Sequence, residues 1–155
     1  MTERLSLQDT YAPRLICFGC GPANPEGLQL KSFVDGDQLV AEFHAQKKHQ
    51  AFEGMLNGGI IGALLDCHCN WMACYHLMLR NHLTTPPCTV TAEYTIKMEK
   101  PTPIANPIHL RAWVVDSSER RATIEGTLAS GSEVTARCRG IFVAVREGHP
   151  AFHRW

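Results

Sequence analysis

Asn57-Gly58-Gly59-Ile60-Ile61-Gly62-Ala63-Leu64-Leu65-Asp66 decides how the rest of this chain is read. Two glycines open a long apolar run, and one carboxylate, Asp66, interrupts it. A helix that starts on Gly-Gly offers free backbone N–H groups able to hold an oxyanion. A carboxylate in apolar surroundings is costly unless it has a partner or a task. The run predicts a helix from about residue 58 to about residue 80, which Pro86-Pro87 forbids from continuing. Its apolar positions lie almost all round it, so it is expected to be buried on several sides. Gly59, Gly62, Asp66, Asn70 and Ala73 recur at three- and four-residue spacing and form one stripe of small residues. Such a stripe admits another backbone or a thin ligand, which makes Gly59 and Asn70 candidate substrate-binding residues. Trp71, Tyr75 and Leu79 mark a bulkier stripe expected to pack on a sheet.

On the N-terminal side, residues 1–16 are weakly patterned and predict a short helix or an arm. Cys17-Phe18-Gly19-Cys20-Gly21-Pro22-Ala23-Asn24-Pro25-Glu26-Gly27 is dense in Gly and Pro and reads as a loop. Residues 28–33 begin as an alternating strand, Asp35-Gly36-Asp37 reads as a hairpin turn, and Leu39, Ala41 and Phe43 mark the return strand. Residues 46–56 read as a connection whose basic start, Lys47-Lys48-His49, is expected to be solvated.

On the C-terminal side, residues 88–99 alternate, with Val90, Ala92, Tyr94, Ile96 and Met98 on one side and Thr89, Thr91, Glu93, Thr95 and Lys97 on the other. Three further strands are expected over 107–116, 121–130 and 133–145, joined by hairpin-like turns, before a short polar-aromatic tail from Gly148. About six strands and one long helix make an α+β fold, an antiparallel sheet with the helix on one face. A strongly twisted sheet can curl around such a helix. The 155 residues, 45% of them hydrophobic, fit one domain with a full core, 1–155.

Fifteen Lys plus Arg balance fifteen Asp plus Glu, which argues against a general nucleic-acid or membrane-surface binder. No signal peptide and no membrane span are expected. Seven cysteines, an odd number set mostly in apolar segments, suit a reducing cytosol better than a disulfide framework. Cys17-x-x-Cys20 is half of a zinc site. Cys67, His68 and Cys69 have unsuitable spacing for the usual second knuckle, so no metal is expected and the leader cysteines read as small apolar fillers.

With these residues in place, the chain resembles the hot-dog fold thioesterases, in the branch that includes the phenylacetate-degradation and 4-hydroxybenzoyl-CoA thioesterases. That branch carries a His-Gly-Gly turn and an Asp nine positions after the His; Asn57-Gly58-Gly59 and Asp66 fall at that spacing. The Cys17–Gly27 leader with Leu28 is similar to the leader of one subgroup, and the resemblance covers roughly residues 17–145. It departs at Asn57, where His is common, and at Ala51, where many members have Asn. The resemblance implies a sheet wrapped around the helix and an acyl-CoA thioesterase that needs no cofactor, the coenzyme A thioester being the substrate. Asp66 would be general base or nucleophile, the Gly58 N–H the oxyanion donor, Asn57 an orienting group, and Thr91 a support for the water or the Asp. A second reading is a non-catalytic hot-dog protein that binds acyl-CoA or serves as an assembly subunit. Arg137, Arg139, Lys97 and Lys100 read as solvated strand faces more readily than as CoA-phosphate ligands.

Geometry adds an independent expectation. Gly58 and Asp66 lie eight residues apart on one helix, about 12 Å along its axis. Both must come within roughly 3 Å of the reacting atoms. Two antiparallel helices across a two-fold axis satisfy this, which predicts a homodimer with shared sites and a dimer of dimers as the further option.

Overall fold

The computed structural model describes residues 3–155. A short helix α1 (Leu7–Tyr11) is followed by β1 (Phe33–Asp35) and β2 (Gln38–Phe43). A 3-10 turn (Lys47–His49) leads into a small hairpin of β3 (Gln50–Phe52) and β4 (Met55–Leu56). The long helix α2 (Gly58–Arg80) comes next, then β5 (Thr89–Met98), β6 (Ile108–Ser117), β7 (Arg121–Ser130) and β8 (Glu133–Ala144). The main sheet has the order β1-β2-β6-β7-β8-β5, every neighbouring pair antiparallel. α2 touches β2, β5, β6, β7 and β8, so the sheet curls round it. The α+β layout with a six-stranded antiparallel sheet and one long helix is the one expected.

The core forms where α2 meets the inward positions of the sheet. Leu64, Leu65 and Leu77 of α2 are fully buried, as are Leu39, Ile108, Leu110, Ile124, Leu128 and Phe142 of the strands. Along β7 the inward set Ala122, Ile124, Gly126, Leu128 and Ser130 alternates with half-exposed neighbours, the period-two signature of a sheet packed on one face. At Gly126 an added Cβ would stand 2.7 Å from the Cys69 sulfur, so glycine lets α2 approach β7 closely.

Buried His68 ties α2 to the other end of the sheet. Its Nε2 bonds the Leu39 carbonyl at 3.0 Å, and its Nδ1 meets Ser32 Oγ at 2.8 Å. Burial lowers its pKa to about 4, so the ring is neutral at pH 7. His68→Leu removes both of these buried hydrogen bonds, leaving the Ser32 hydroxyl proton without its acceptor, and is expected to cost about 1–3 kcal/mol. Urea unfolding, read as a lower midpoint at unchanged slope, measures it.

Four local expectations are corrected. The ladder begins at Phe33, not Leu28: Gln29 adopts φ +52° and its amide donates to the carbonyls of Pro22 and Asn24, while Leu28 and Leu30 bond Phe18 and Gly19 of the leader. His49 is buried rather than solvated, tilted against Phe43 at 5.5 Å with Nδ1 accepting from the Gln46 amide. In the bulky stripe of α2, Leu79 is exposed rather than packed on the sheet, while Trp71 is buried with Trp155 stacked on it at 4.8 Å. Finally, β5 carries a bulge at Ala92, where the register with β8 shifts between Thr91 and Glu93. The extra residue switches the phase of alternation, so Thr89 and Thr91 share a face with Tyr94, Ile96 and Met98.

Candidate active site

Asn57 has extended backbone (φ −64°, ψ 137°) and caps α2 through its side chain. Its Oδ1 accepts from the amides of Gly59 at 2.8 Å and Ile60 at 3.3 Å, and its carbonyl accepts from Ile61. The Asn57 amide donates to the His49 carbonyl at 2.8 Å, so three of the four orphan donors at this end, those of Asn57, Gly59 and Ile60, are engaged. The amide that remains is that of Gly58, an exposed residue at the positive end of the helix dipole. Gly59, proposed from sequence to face substrate, has its amide on Asn57.

Two turns further on, Asp66 is half-buried. Thr91, turned inward by the bulge, donates to Asp66 Oδ1 at 2.6 Å. Oδ2 has no protein partner among the described residues and is not sealed from solvent. Burial raises the Asp66 pKa above the ordinary carboxylate value; the Thr91 bond and the Arg154 guanidinium work the other way, while the Cys17 sulfur adds to the rise. A carboxylate with one oxygen fixed and the other free, and with raised basicity, is suited to take a proton or attack a carbonyl. Asn70, one turn on, is held by Thr89: the hydroxyl donates to Asn70 Oδ1 at 2.5 Å.

Sequence reasoning missed Arg154. Its guanidinium donates to the Thr89 carbonyl at 2.8 Å, lies over the Trp155 ring at 4.8 Å, and feels the Asp66 charge. Trp155 anchors this tail, stacking on Trp71 and donating to the Pro86 carbonyl at 2.8 Å. The tail has no periodicity from which such docking could be read.

At the other end of the stripe, Gly58 opens onto a surface cavity of about 330 Å³, lined by Ala51, Phe52, Met55, Gly58, Met98 and Lys100 among others. Ala51 gives this wall an apolar surface. Of the basic residues weighed as phosphate ligands, Lys100 pairs with Glu133 at 2.5 Å, Arg137 with Glu99 at 3.0 Å and Arg139 with Glu125 at 2.6 Å. Lys97 is exposed and makes no ion pair among the described residues. Gly58 and Asp66 do lie on one continuous helix, so this chain alone keeps them about 12 Å apart.

Solved structures share this architecture. A thioesterase superfamily protein from Shewanella loihica superposes with a TM-score of 0.65 at 28% identity, over 81% of this chain and 98% of its own. Another thioesterase superfamily protein, RHA08564, gives 0.68 at 18% identity over 92% of this chain and 68% of its own. A Bacillus halodurans protein solved with CoA gives 0.63 at 23% identity, over 77% of this chain and 76% of its own. No sequence-family model matches the chain, and no curated protein matches it. The chain has the hot-dog fold of the thioesterase superfamily. Among the described residues, no helix is long and apolar enough to cross a membrane.

Proposed function

We propose that this protein is an acyl-CoA thioesterase acting on a small or aryl acyl-CoA, as a homodimer whose two sites are each built from both chains. The observation that carries the reading is the pairing, on one helix, of a first-turn amide left over by its cap and a half-buried carboxylate with one free oxygen. In hydrolysis Asp66 takes a proton from water as it attacks the thioester carbonyl, or attacks directly, and the Gly58 N–H receives the charge that develops on the carbonyl oxygen. The leaving thiol, with a pKa of roughly 8.5, departs as thiolate with little assistance. Asn57 contributes by freeing the Gly58 amide, and the CoA held by the Bacillus halodurans neighbour supports the choice of thioester.

Two features support a second copy. An added Cβ at Gly58 or at Gly62 would meet its nearest atom in this chain at only 3.6 or 3.5 Å, an ordinary contact. Glycine in a helix costs about 0.5–1 kcal/mol relative to alanine. Nothing in the protomer therefore demands glycine at exposed Gly58, which leaves room for a second copy there, whereas Gly62 lies buried against Tyr94 and Ile96 of its own chain. In addition, β5 ends the sheet, and among the described residues no strand lies on the outer side of its ten residues. An open edge of that length is a template for pairing.

The test is free-thiol release from a panel of aliphatic and aryl acyl-CoAs. Release above background from at least one is the expected result. CoA binding without release from any of them would favour the non-catalytic reading. Thr91 offers a finer check, because its bond to Asp66 orients the reacting oxygen. Thr91→Val removes a hydrogen bond to a charged group worth about 1.5–3 kcal/mol, so kcat is expected to fall roughly 10- to 100-fold. Thr91→Ser should restore most of it.

A further inference from the structure

The leader and α2 bring three thiols together beside the site. The sulfurs of Cys17, Cys20 and Cys67 all lie within 4.8 Å of one another, and Cys17 Sγ to Cys67 Sγ is 3.7 Å. His68 and Cys69 are elsewhere: His68 bonds Ser32 and Leu39, and Cys69 neighbours Cys138. From these three sulfurs we infer a binding site for a thiophilic d10 cation of the zinc(II) class, with three cysteine ligands and an exogenous fourth.

Spacing is the first argument. Zinc bound tetrahedrally at about 2.3 Å from each sulfur sets the sulfur–sulfur edge at about 3.8 Å. The Cys17–Cys67 pair is already there, and the third sulfur needs only a small approach. The loop is the second argument. An added Cβ at Gly19 would stand 2.4 Å from the Cys67 sulfur, and one at Gly21 would stand 2.4–2.7 Å from backbone atoms of Leu15 and Cys17. Both glycines are required for the chain to wind tightly enough to deliver Cys17 and Cys20 onto the helix. Apolar filling makes no such demand on the backbone.

The surroundings of the sulfurs are the third argument. Trp71 Nε1–H donates to the Cys20 sulfur at 3.3 Å. N–H donors around thiolates offset the negative charge that three of them place on a metal and fix their orientation. Cys20 and Cys67 are buried and Cys17 is half-buried, so the fourth position faces solvent on the Cys17 side. A cation here would clamp the leader to α2 at the residue next to Asp66, making one wall of the site rigid. The site is independent of whether the protein hydrolyses thioesters.

The experiment uses the full chain, reduced and handled without oxygen. Zinc titration against a chromogenic chelator should give one equivalent per chain, with a Kd of about 10⁻⁷ M or tighter. Cobalt(II) should take the same site and show a strong sulfur-to-metal charge-transfer band. Cys17→Ser, Cys20→Ser and Cys67→Ser should each weaken binding at least about tenfold, while Cys138→Ser leaves it unchanged. Alkylation of the unsubstituted protein, mapped by peptide mass, does not depend on any variant folding: zinc should protect Cys17, Cys20 and Cys67. Failure to take up zinc, equal alkylation with and without it, or a disulfide among the three thiols in the freshly reduced protein would overturn the assignment.

Discussion

Asp66→Asn is expected to lower kcat/KM for thioester hydrolysis by about 10²–10⁴-fold and to leave the melting temperature unchanged or raised. The two halves of this result have one cause. Asp66 is half-buried in the most apolar helix of the chain, and holding a charge there opposes folding. Asparagine has the same shape, keeps a carbonyl oxygen to accept from Thr91, and carries no charge. It removes the cost of burial and the proton acceptor together. A residue retained for structure behaves in the opposite way, because its loss lowers stability. Thermal unfolding and thiol release on the same preparation therefore separate the roles. A retained rate sinks the mechanism, and a lost rate accompanied by a collapsed melting temperature assigns Asp66 to the fold.

The parts of this arrangement that sequence makes legible are local ones. The α2 boundaries follow from a capping Asn, a helix-opening Gly-Gly and a terminating Pro-Pro. β6, β7 and β8 follow from alternation with short turns between them, and fall within a residue or two of expectation. Asp66 is conspicuous because nothing else in residues 58–79 is acidic.

What escapes reading depends on irregular backbone or distant contact. Thr91 reaches Asp66 only through the Ala92 bulge. From Val90 to Met98 the apolar residues alternate without a break, so hydrophobic phase reads straight through the extra residue. Gln29 takes a left-handed conformation with no glycine to announce it. Cys17 and Cys20 advertise themselves by spacing, whereas Cys67 joins them only because two glycines let the loop close on α2. Arg154 and Trp155 are placed by one stacking contact with Trp71, a pairing that no period encodes.

The second large effect tests how the site is divided between chains. Gly58→Pro should lower kcat by about 10²–10³-fold, the usual cost of one oxyanion donor. It is a clean deletion of an N–H. Proline is favoured at the first helical position, and the preceding residue must be extended, as Asn57 already is at ψ 137°. The nearest atom to an added Cβ is Met98 Cε at 3.6 Å, so the ring has room. Suppose Gly58→Pro and Asp66→Asn chains, separately tagged, are paired in one dimer. If each site takes its amide from one chain and its carboxylate from the other, one site receives both defects and the other receives none. Such a heterodimer should recover about half of the wild-type rate. If each site lay within one chain, both would be defective and nothing would return. The reciprocal pairing reverses the expectation: a doubly substituted chain joined to a wild-type partner leaves every shared site with one defect and should be inactive, but would spare one site of the unshared kind. Because both heterodimers contain the same two substitutions, any effect of the changes on folding or association bears on both equally, and the difference in rate reports only how the two groups are divided between the chains.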